Sequence, residues 1–222
     1  MKKTITTLLS MAALVASTTA SAVLIDFESD GMNALNPGDI ITGQTLFGAT
    51  FSVENQGMTG GNPRELILFN ADCIQNVTCT GGDNDLSLPG EGNILIISQD
   101  NDLADPNDSA AGGTIVVDFA TQVSAIESIT VDVGDSDVGP NFFQVFLNNV
   151  LVDQINLALG GGQNNVQTAN FAGGPFDELR LVLAGSGGLV SVDFTPVPLP
   201  AALPLFMAGL LGLFGMRRRN AS

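Results

Sequence analysis

Between Val23 and Thr195 the chain sustains no helical period. Short runs rich in Val, Ile, Leu, Phe and Thr alternate with clusters of Gly, Asn, Asp and Pro. This punctuation constrains the fold more than any other feature. Amphipathic helices need apolar residues at a 3.6-residue period, whereas runs of about four to eight residues bounded by turn formers mark strands. The runs predict strands at Val23–Glu28, Ala49–Glu54, Glu65–Asn70, Asn93–Ser98, Thr114–Ala120, Ser128–Val133, Phe142–Leu147, Val150–Leu157, Gln167–Phe171, Glu178–Ala184 and Leu189–Thr195. Asn148 and Asn149 make a two-residue hairpin turn, because Asn tolerates positive φ. Many short strands at this spacing predict an all-β domain: a two-sheet antiparallel sandwich, jelly-roll-like. Hydrophobic content of 45% with 13 Phe is enough for its core.

Three tripeptides repeat one pattern: Ile25-Asp26-Phe27, Val117-Asp118-Phe119 and Val192-Asp193-Phe194. The two-residue period of a strand points the aliphatic and Phe side chains one way and the Asp the other, so each is expected to be a half-buried strand with a polar outer face. If the first and last strands pair, Glu28 and Asp193 come near one edge, as in ion-stabilised sandwiches.

The two ends have a different composition. Lys2 and Lys3, a mostly apolar stretch from Ile5 to Val15, and Ala20-Ser21-Ala22 make up the charged region, apolar region and small-residue cleavage site of a secretory signal peptide over residues 1–22. At the other end, Val197 to Met216 runs 20 residues without a charge before Arg217, Arg218 and Arg219. A bilayer core takes about 20 apolar residues as a helix. Pro198, Pro200 and Pro204 confine the helix to about Pro204–Arg217. The arginines on one flank place the C-terminus on the cytoplasmic side. Gly209, Gly212 and Gly215 follow the small-residue spacing common in membrane helices.

Val197-Pro198-Leu199-Pro200-Ala201, the short Gly-rich apolar segment and the terminal Arg217–Arg219 cluster together resemble the VPLPA variant of the PEP-CTERM sorting signal. The likeness covers about the last 26 residues (197–222) and lacks the Pro-Glu-Pro tripeptide of the commoner form. The resemblance implies a Gram-negative bacterium and recognition by an exosortase-type membrane protease. It also implies a transient tether to the inner membrane through the C-terminal helix, then delivery to the cell surface or an extracellular polysaccharide matrix. Acidic β-rich bodies are frequent beside such tails, which adds weight to the fold expectation.

The body between the ends, residues 23–196, holds all 23 acidic residues against Arg64 and Arg180 alone, a net charge of −21 compared with −16 for the whole chain. Phosphate recognition needs clustered Lys and Arg, so the charge excludes a nucleic-acid partner. It favours solubility and cation binding. Cys73 and Cys79 bracket five residues, and export to an oxidising compartment predicts a short disulfide loop.

The acid is densest at Gly82–Asp85 and from Asp100 to Asp108. Asp100, Asp102, Asp105 and Asp108, with Glu28 and Asp193 at the expected strand edge, form the candidate metal set, with calcium as the ion. Calcium takes six to eight oxygen ligands, and carboxylates crowded together repel unless a cation or proton neutralises them. The spacing lacks the central Gly and position-twelve Glu of an EF-hand. A solvated loop, in which Asp, Asn and Pro simply make turns, accounts for the same residues. Asp132, Asp135 and Asp137 read as a polar turn.

Catalytic constellations are poor. Without His there is no Ser-His or Cys-His nucleophile pair. Seventeen Asp and six Glu make glycosidase-like carboxylate pairs unavoidable by chance. Gly160-Gly161-Gly162 has no following Lys-Ser/Thr and is a flexible turn rather than a phosphate loop. The expectation is a non-enzymatic exported protein, weakly glycan-binding; the alternative is a secreted carboxylate hydrolase acting on polysaccharide. The absence of Trp and Tyr leaves sugar contact to Asn, Asp and Phe, and Phe offers no polar edge.

Overall fold

The computed structural model describes residues 20–55, 57–60, 62–74, 77–80, 86–131, 140–158 and 165–198. The signal-peptide stretch 1–19, Gly82–Asp85, Asp132, Asp135, Asp137, Gly160–Gly162 and everything from Leu199 onward, including Arg217–Arg219, lie outside the described residues.

Among the described residues, twelve strands fall in one compact unit, Ser21–Val197. They are β1 (Val23–Ile25), β2 (Thr45–Leu46), β3 (Ala49–Glu54), β4 (Met58–Thr59), β5 (Asn62–Pro63), β6 (Leu66–Asn70), β7 (Asn93–Ile97), β8 (Gly113–Val131), β9 (Phe142–Leu147), β10 (Val150–Asn156), β11 (Val166–Leu183) and β12 (Gly188–Pro196). Every pairing is antiparallel. Among the described residues there is no α-helix. The described body is all-β, as the punctuation of the sequence requires.

Two corrections to the expected strands have one cause. The described residues of the expected strands Thr114–Ala120 and Ser128–Val133, up to Val131, belong to a single strand, β8, and Gln167–Phe171 and Glu178–Leu183 belong to a single strand, β11. The two run antiparallel along their length, Val166↔Val131 at one end and Leu183↔Gly113 at the other, with register shifts between Ala172, Phe176 and Glu178. Bulges let a strand turn a corner without ending its ladder. Gly173 takes φ 83°, and a Cβ on Gly174 would sit 2.4 Å from the Val123 carbonyl oxygen. The Gly-Gly-Pro that looks like a strand break is therefore the bend of one strand. As a result, ten strands form one continuous sheet, β10-β9-β11-β8-β12-β7-β6 with β1, β2 and β3 alongside, rather than two separate sheets.

The first half of β8 pairs with β3 and with the last part of β11, which also carries β9 and β10. Its second half pairs with β12, which carries β1 and β7. Side chains from both halves meet in one buried cluster that includes Phe51, Ile115, Val145 and Leu181 from the first and Ile25, Leu95, Ile126 and Val192 from the second. Phe119 and Phe194 touch at 4.9 Å between centroids, and Phe27 meets Phe51 edge-on at 5.5 Å. The three tripeptides do alternate: Ile25, Phe27, Val117, Phe119, Val192 and Phe194 are buried, and each Asp points outward. Phe27 reaches the core with φ 61°, so β1 stops at Ile25 instead of running to Glu28.

A second cluster lies on the opposite face of β6 and β7: Phe69, Ala71, Cys73, Leu86, Ile94, Ile96, Val131 and Val190. Cys73 and Cys79 are joined by a disulfide (S–S 2.05 Å), and Ser87 donates to the Cys73 carbonyl. Among the described residues, Ser21–Val197 thus holds every strand, both hydrophobic clusters and the disulfide, so its core is complete within one compact unit.

The β9–β10 hairpin turns on Asn148 and Asn149, at φ 51° and 62°. Two consecutive positive-φ residues match the right-handed twist of the flanking strands.

Candidate functional site

The outer face of the β10-β9-β11-β8-β3 half is a polar ladder built by register. One row runs Gln154, Gln144, Arg180, Val116, Ser52; the next runs Phe146, Glu178, Asp118, Thr50. Gln144 donates to Gln154 at 2.8 Å, and Gln154 donates to Asn156 at 2.7 Å. Arg180 is the hub. Its Nε donates to Glu178, its NH1 donates to Glu54 at 2.8 Å, and its guanidinium lies 4.9 Å from the Phe146 ring centroid.

The hub accounts for the electrostatics of this face. Glu178 is buried and sits in register with Asp118, so two carboxylates are neighbours. Burial, then the Glu178 charge, hold the Asp118 carboxyl above the ordinary carboxylate range, while Arg180 pulls it back. The hydrogen bond to Glu178 raises the Arg180 pKa further, keeping it charged throughout. Exposed Gln154, Asn156, Asp118 and Glu54 leave amide and carboxylate groups open to solvent on three strands, β10, β8 and β3.

The other half carries a shallow trough of about 290 Å³ on its outer face. Ala172, Ala125 and Thr195 stand side by side in register, with Ala22 next to them, and make a low floor. Two residues along the strands, Asn170, Glu127 and Asp193 stand in register and make a taller wall. Leu24 of β1 continues the row beyond Asp193.

The candidate metal set does not converge. Asp100 accepts from the Asp102 amide at 3.1 Å, and Asp102 accepts from the Ala104 amide at 2.9 Å, so both carboxylates cap turns. Asp105 is exposed, but Asp108 is buried and accepts from Ser186 Oγ and the Gly187 amide, both at 2.6 Å. Asp108 ties its loop to the turn before β12 instead of facing Asp100 and Asp102. The first and last strands do pair, with Leu24 opposite Asp193. Glu28 nevertheless lies four residues further along, where it accepts from the Asn93 amide at 2.6 Å. Glu28 and Asp193 do not share a site. A Cβ at Gly92 would fall 2.1 Å from Glu28 Oε1, so this close approach requires glycine. Among the described residues, no three Asp, Glu or Cys side chains are grouped to hold a metal ion.

Of the sorting-signal residues, Val197 and Pro198 are described and exposed, and the Val197 amide donates to the Gln122 carbonyl at 2.7 Å. Leu199, Pro200 and Ala201 lie outside the described residues, as does the expected tail helix. Among the described residues no helix is long and apolar enough to cross a membrane.

Neither the Arg180 ladder nor the trough was found from sequence. Arg180 did stand out as one of two cations in an acidic body. Glu178, 2 residues away on the same strand, shares its face through the two-residue period, but Glu54 is 126 residues away and only the strand register brings it there.

No family model matches the chain, and no curated protein matches it. Among solved structures, the chain is similar to CsCBM6-3 from Clostridium stercorarium in complex with cellobiose, at 17% identity over 50% of this chain and 79% of that one, with a TM-score of 0.29. A family 35 carbohydrate binding module from an environmental isolate matches at 17% identity over 60% and 98%, with a TM-score of 0.32. The K2 cleaved adhesin domain of Lys-gingipain matches at 10% identity over 79% and 97%, with a TM-score of 0.38. Scores this low carry neither a fold family nor a ligand over to this chain.

Proposed function

We propose that this is an exported, non-enzymatic β-domain, jelly-roll-like in architecture, that makes weak contacts with extracellular polysaccharide through the outer face of β10–β9–β11–β8–β3. The observation that carries the reading is that face: side-chain amides, carboxylates and a guanidinium in register, with Phe146 beneath Arg180. Sugar hydroxyls are met by such planar donors and acceptors. With Phe as the only aromatic type, and Phe146 already covered by Arg180, affinity rests on polar contacts exchanged with water, and the net gain per hydrogen bond is small. The leader at residues 1–22 and the VPLPA-type tail at 197–222 support export and sorting by an exosortase-type protease, with a passing inner-membrane tether. Calcium enters as a counter-ion for a body of net charge −21 rather than through a four-carboxylate cage.

Titrating the body with a panel of bacterial polysaccharides, read by backbone amide NMR, tests this. Shifts confined to β10, β9, β11, β8 and β3 and lost in Gln144→Ala with Gln154→Ala are expected. Turnover of any panel member that one Asp or Glu substitution abolishes would replace the reading with the hydrolase. The sorting arm is checked by intact mass, since surface-released protein should lack Arg217, Arg218 and Arg219.

A further inference from the structure

Among the described residues, the wall of the trough holds two carboxylates and no cation. Glu127 of β8 and Asp193 of β12 are directly opposite in register, and like charges so placed repel. The body has only two cationic side chains, and both are committed elsewhere: Arg180 to Glu178 and Glu54 on the other half, Arg64 to Ser109. Beside these carboxylates lies Ala22, which lines the same trough. Ala22 is also the last residue of the expected cleavage tripeptide.

We propose that removal of residues 1–22 creates the missing cation in place. The new α-ammonium of Val23 becomes the third positive charge of the exported body and pairs with Asp193, relieving its repulsion with Glu127 on the next strand. This rests on the reading of Met1–Ala22 as a cleaved leader. The register supplies the geometry: Val23 is opposite Phe194 and Leu24 opposite Asp193, so the nitrogen of Val23 is one residue from the Asp193 row and on the strand that borders it. The Val23 side chain packs against the main core, which anchors the end of β1 so that its terminus cannot swing away. Cleavage also removes Ala22 from the trough, opening the side where the ammonium stands. The charged groups near it are Asp193 from β12 and, one strand beyond, Glu127 from β8; β11 contributes only the neutral Asn170, and Asp26, just past the end of β1, is engaged by the Glu28 amide. Before cleavage the same nitrogen is a neutral amide, so the carboxylate pair is relieved only in the processed protein.

The experiment uses residues 23–197 released from a fusion by a cut directly before Val23, in chelator-containing buffer. The α-amino pKa is measured by pH-dependent amine labelling. A value at least about one unit above the 7.7–8.0 of an unstructured chain is expected, returning to that range in Asp193→Asn with Glu127→Gln. An ordinary value in the wild type, or a raised value that the double variant leaves unchanged, overturns the pairing. A raised pKa stabilises the fold below the unfolded value and loses that stabilisation as pH rises through the folded value. The free amine should therefore melt above an N-acetylated copy at pH 7, and the gap should close above about pH 9–10. Equal melting at pH 7 would also overturn it. Mass analysis of the exported protein tests the leader separately: a start other than Val23 refutes the cleavage reading, whatever the labelling shows.

Discussion

The two ends of the ten-stranded sheet use nearly the same kind of sequence for opposite purposes. At one end, Leu66-Ile67-Leu68-Phe69 of β6 and Ile94-Leu95-Ile96-Ile97 of β7 are unbroken apolar runs, and all eight side chains are buried. Alternate residues enter the two clusters: Leu66, Leu68, Leu95 and Ile97 enter the main core, while Phe69, Ile94 and Ile96 enter the one under the Cys73–Cys79 loop. At the other end, Val150-Leu151-Val152 of β10 is also an unbroken apolar run, yet these residues are 64%, 47% and 51% exposed on an edge strand. An apolar run can mean a strand covered on both faces or a strand covered on neither. What separates the two is whether another part of the chain lies over the second face. The register shift between Leu151 and Asp153 bulges β10, a feature that discourages edge-to-edge pairing.

The largest effect that could break the comparison is truncation under the covered face. Ile96→Ala should cost about 2–5 kcal/mol, the usual range for an aliphatic side chain cut inside a packed core. Val152→Ala at the open end should stay within about 0.5 kcal/mol. Urea unfolding of both reads the contrast, and equal losses would mean that β6–β7 is not doubly buried.

Next is the clamp on the cover. Replacing Cys73 and Cys79 with Ser should cost about 2 kcal/mol, the loop-entropy value for so short a ring. The loss should be felt most in hydrogen-exchange protection of β6 and β7, because Cys73 itself belongs to their second cluster. Uniform loss across the sheet would refute that local role.

Comparable in size is the hub of the open face. Arg180→Met keeps much of the volume and removes the charge, leaving buried Glu178 without its partner; about 1–3 kcal/mol should be lost, the penalty for stranding a buried polar group. Arg180→Lys should recover only part of this, since an ammonium lacks the fork that reaches Glu178 and Glu54 together.

The smallest effect is at Asp118. Its folded pKa lies above its unfolded one, so the folded state holds the proton more tightly, and stability falls as pH rises from the ordinary carboxylate range through the raised value. Asp118→Asn should therefore melt slightly higher than wild type at pH 7, by no more than about 0.5 kcal/mol for so exposed a position. The advantage should disappear below about pH 3.8, where wild-type Asp118 is protonated in both states. Calcium and ionic-strength-matched sodium should differ little in their effect on melting, because Asp100 and Asp102 are used by turns and Asp108 by Ser186 and Gly187. Saturable, calcium-selective stabilisation would restore the loop site.

Local features were legible because their causes are local. β3 and β9 have the expected bounds, Asn148-Asn149 makes the hairpin turn, and the three tripeptides alternate. Each depends on side-chain period, β-branching or tolerance of positive φ within a few residues. The candidate sites were not legible. Acid density along the chain pointed to Asp100–Asp108, where neighbouring amides take Asp100 and Asp102 and the turn before β12 takes Asp108. The open ladder and the trough draw on Glu54, Asp118, Glu127, Gln144, Glu178, Arg180 and Asp193, spread over more than half of the chain.

By itself, then, the amino-acid sequence determined the strand class, most strand positions, the turn chemistry and the charge of the body. Period, propensity and net charge are sums over near neighbours, so they do not depend on the path of the chain. The tertiary structure alone decided that Gly173-Gly174-Pro175 is a bend and not a break, and which apolar run is covered. It also decided which carboxylates meet an arginine and which face each other alone. These follow from antiparallel register between strands far apart in sequence, where a shift of one residue would exchange the inner and outer faces.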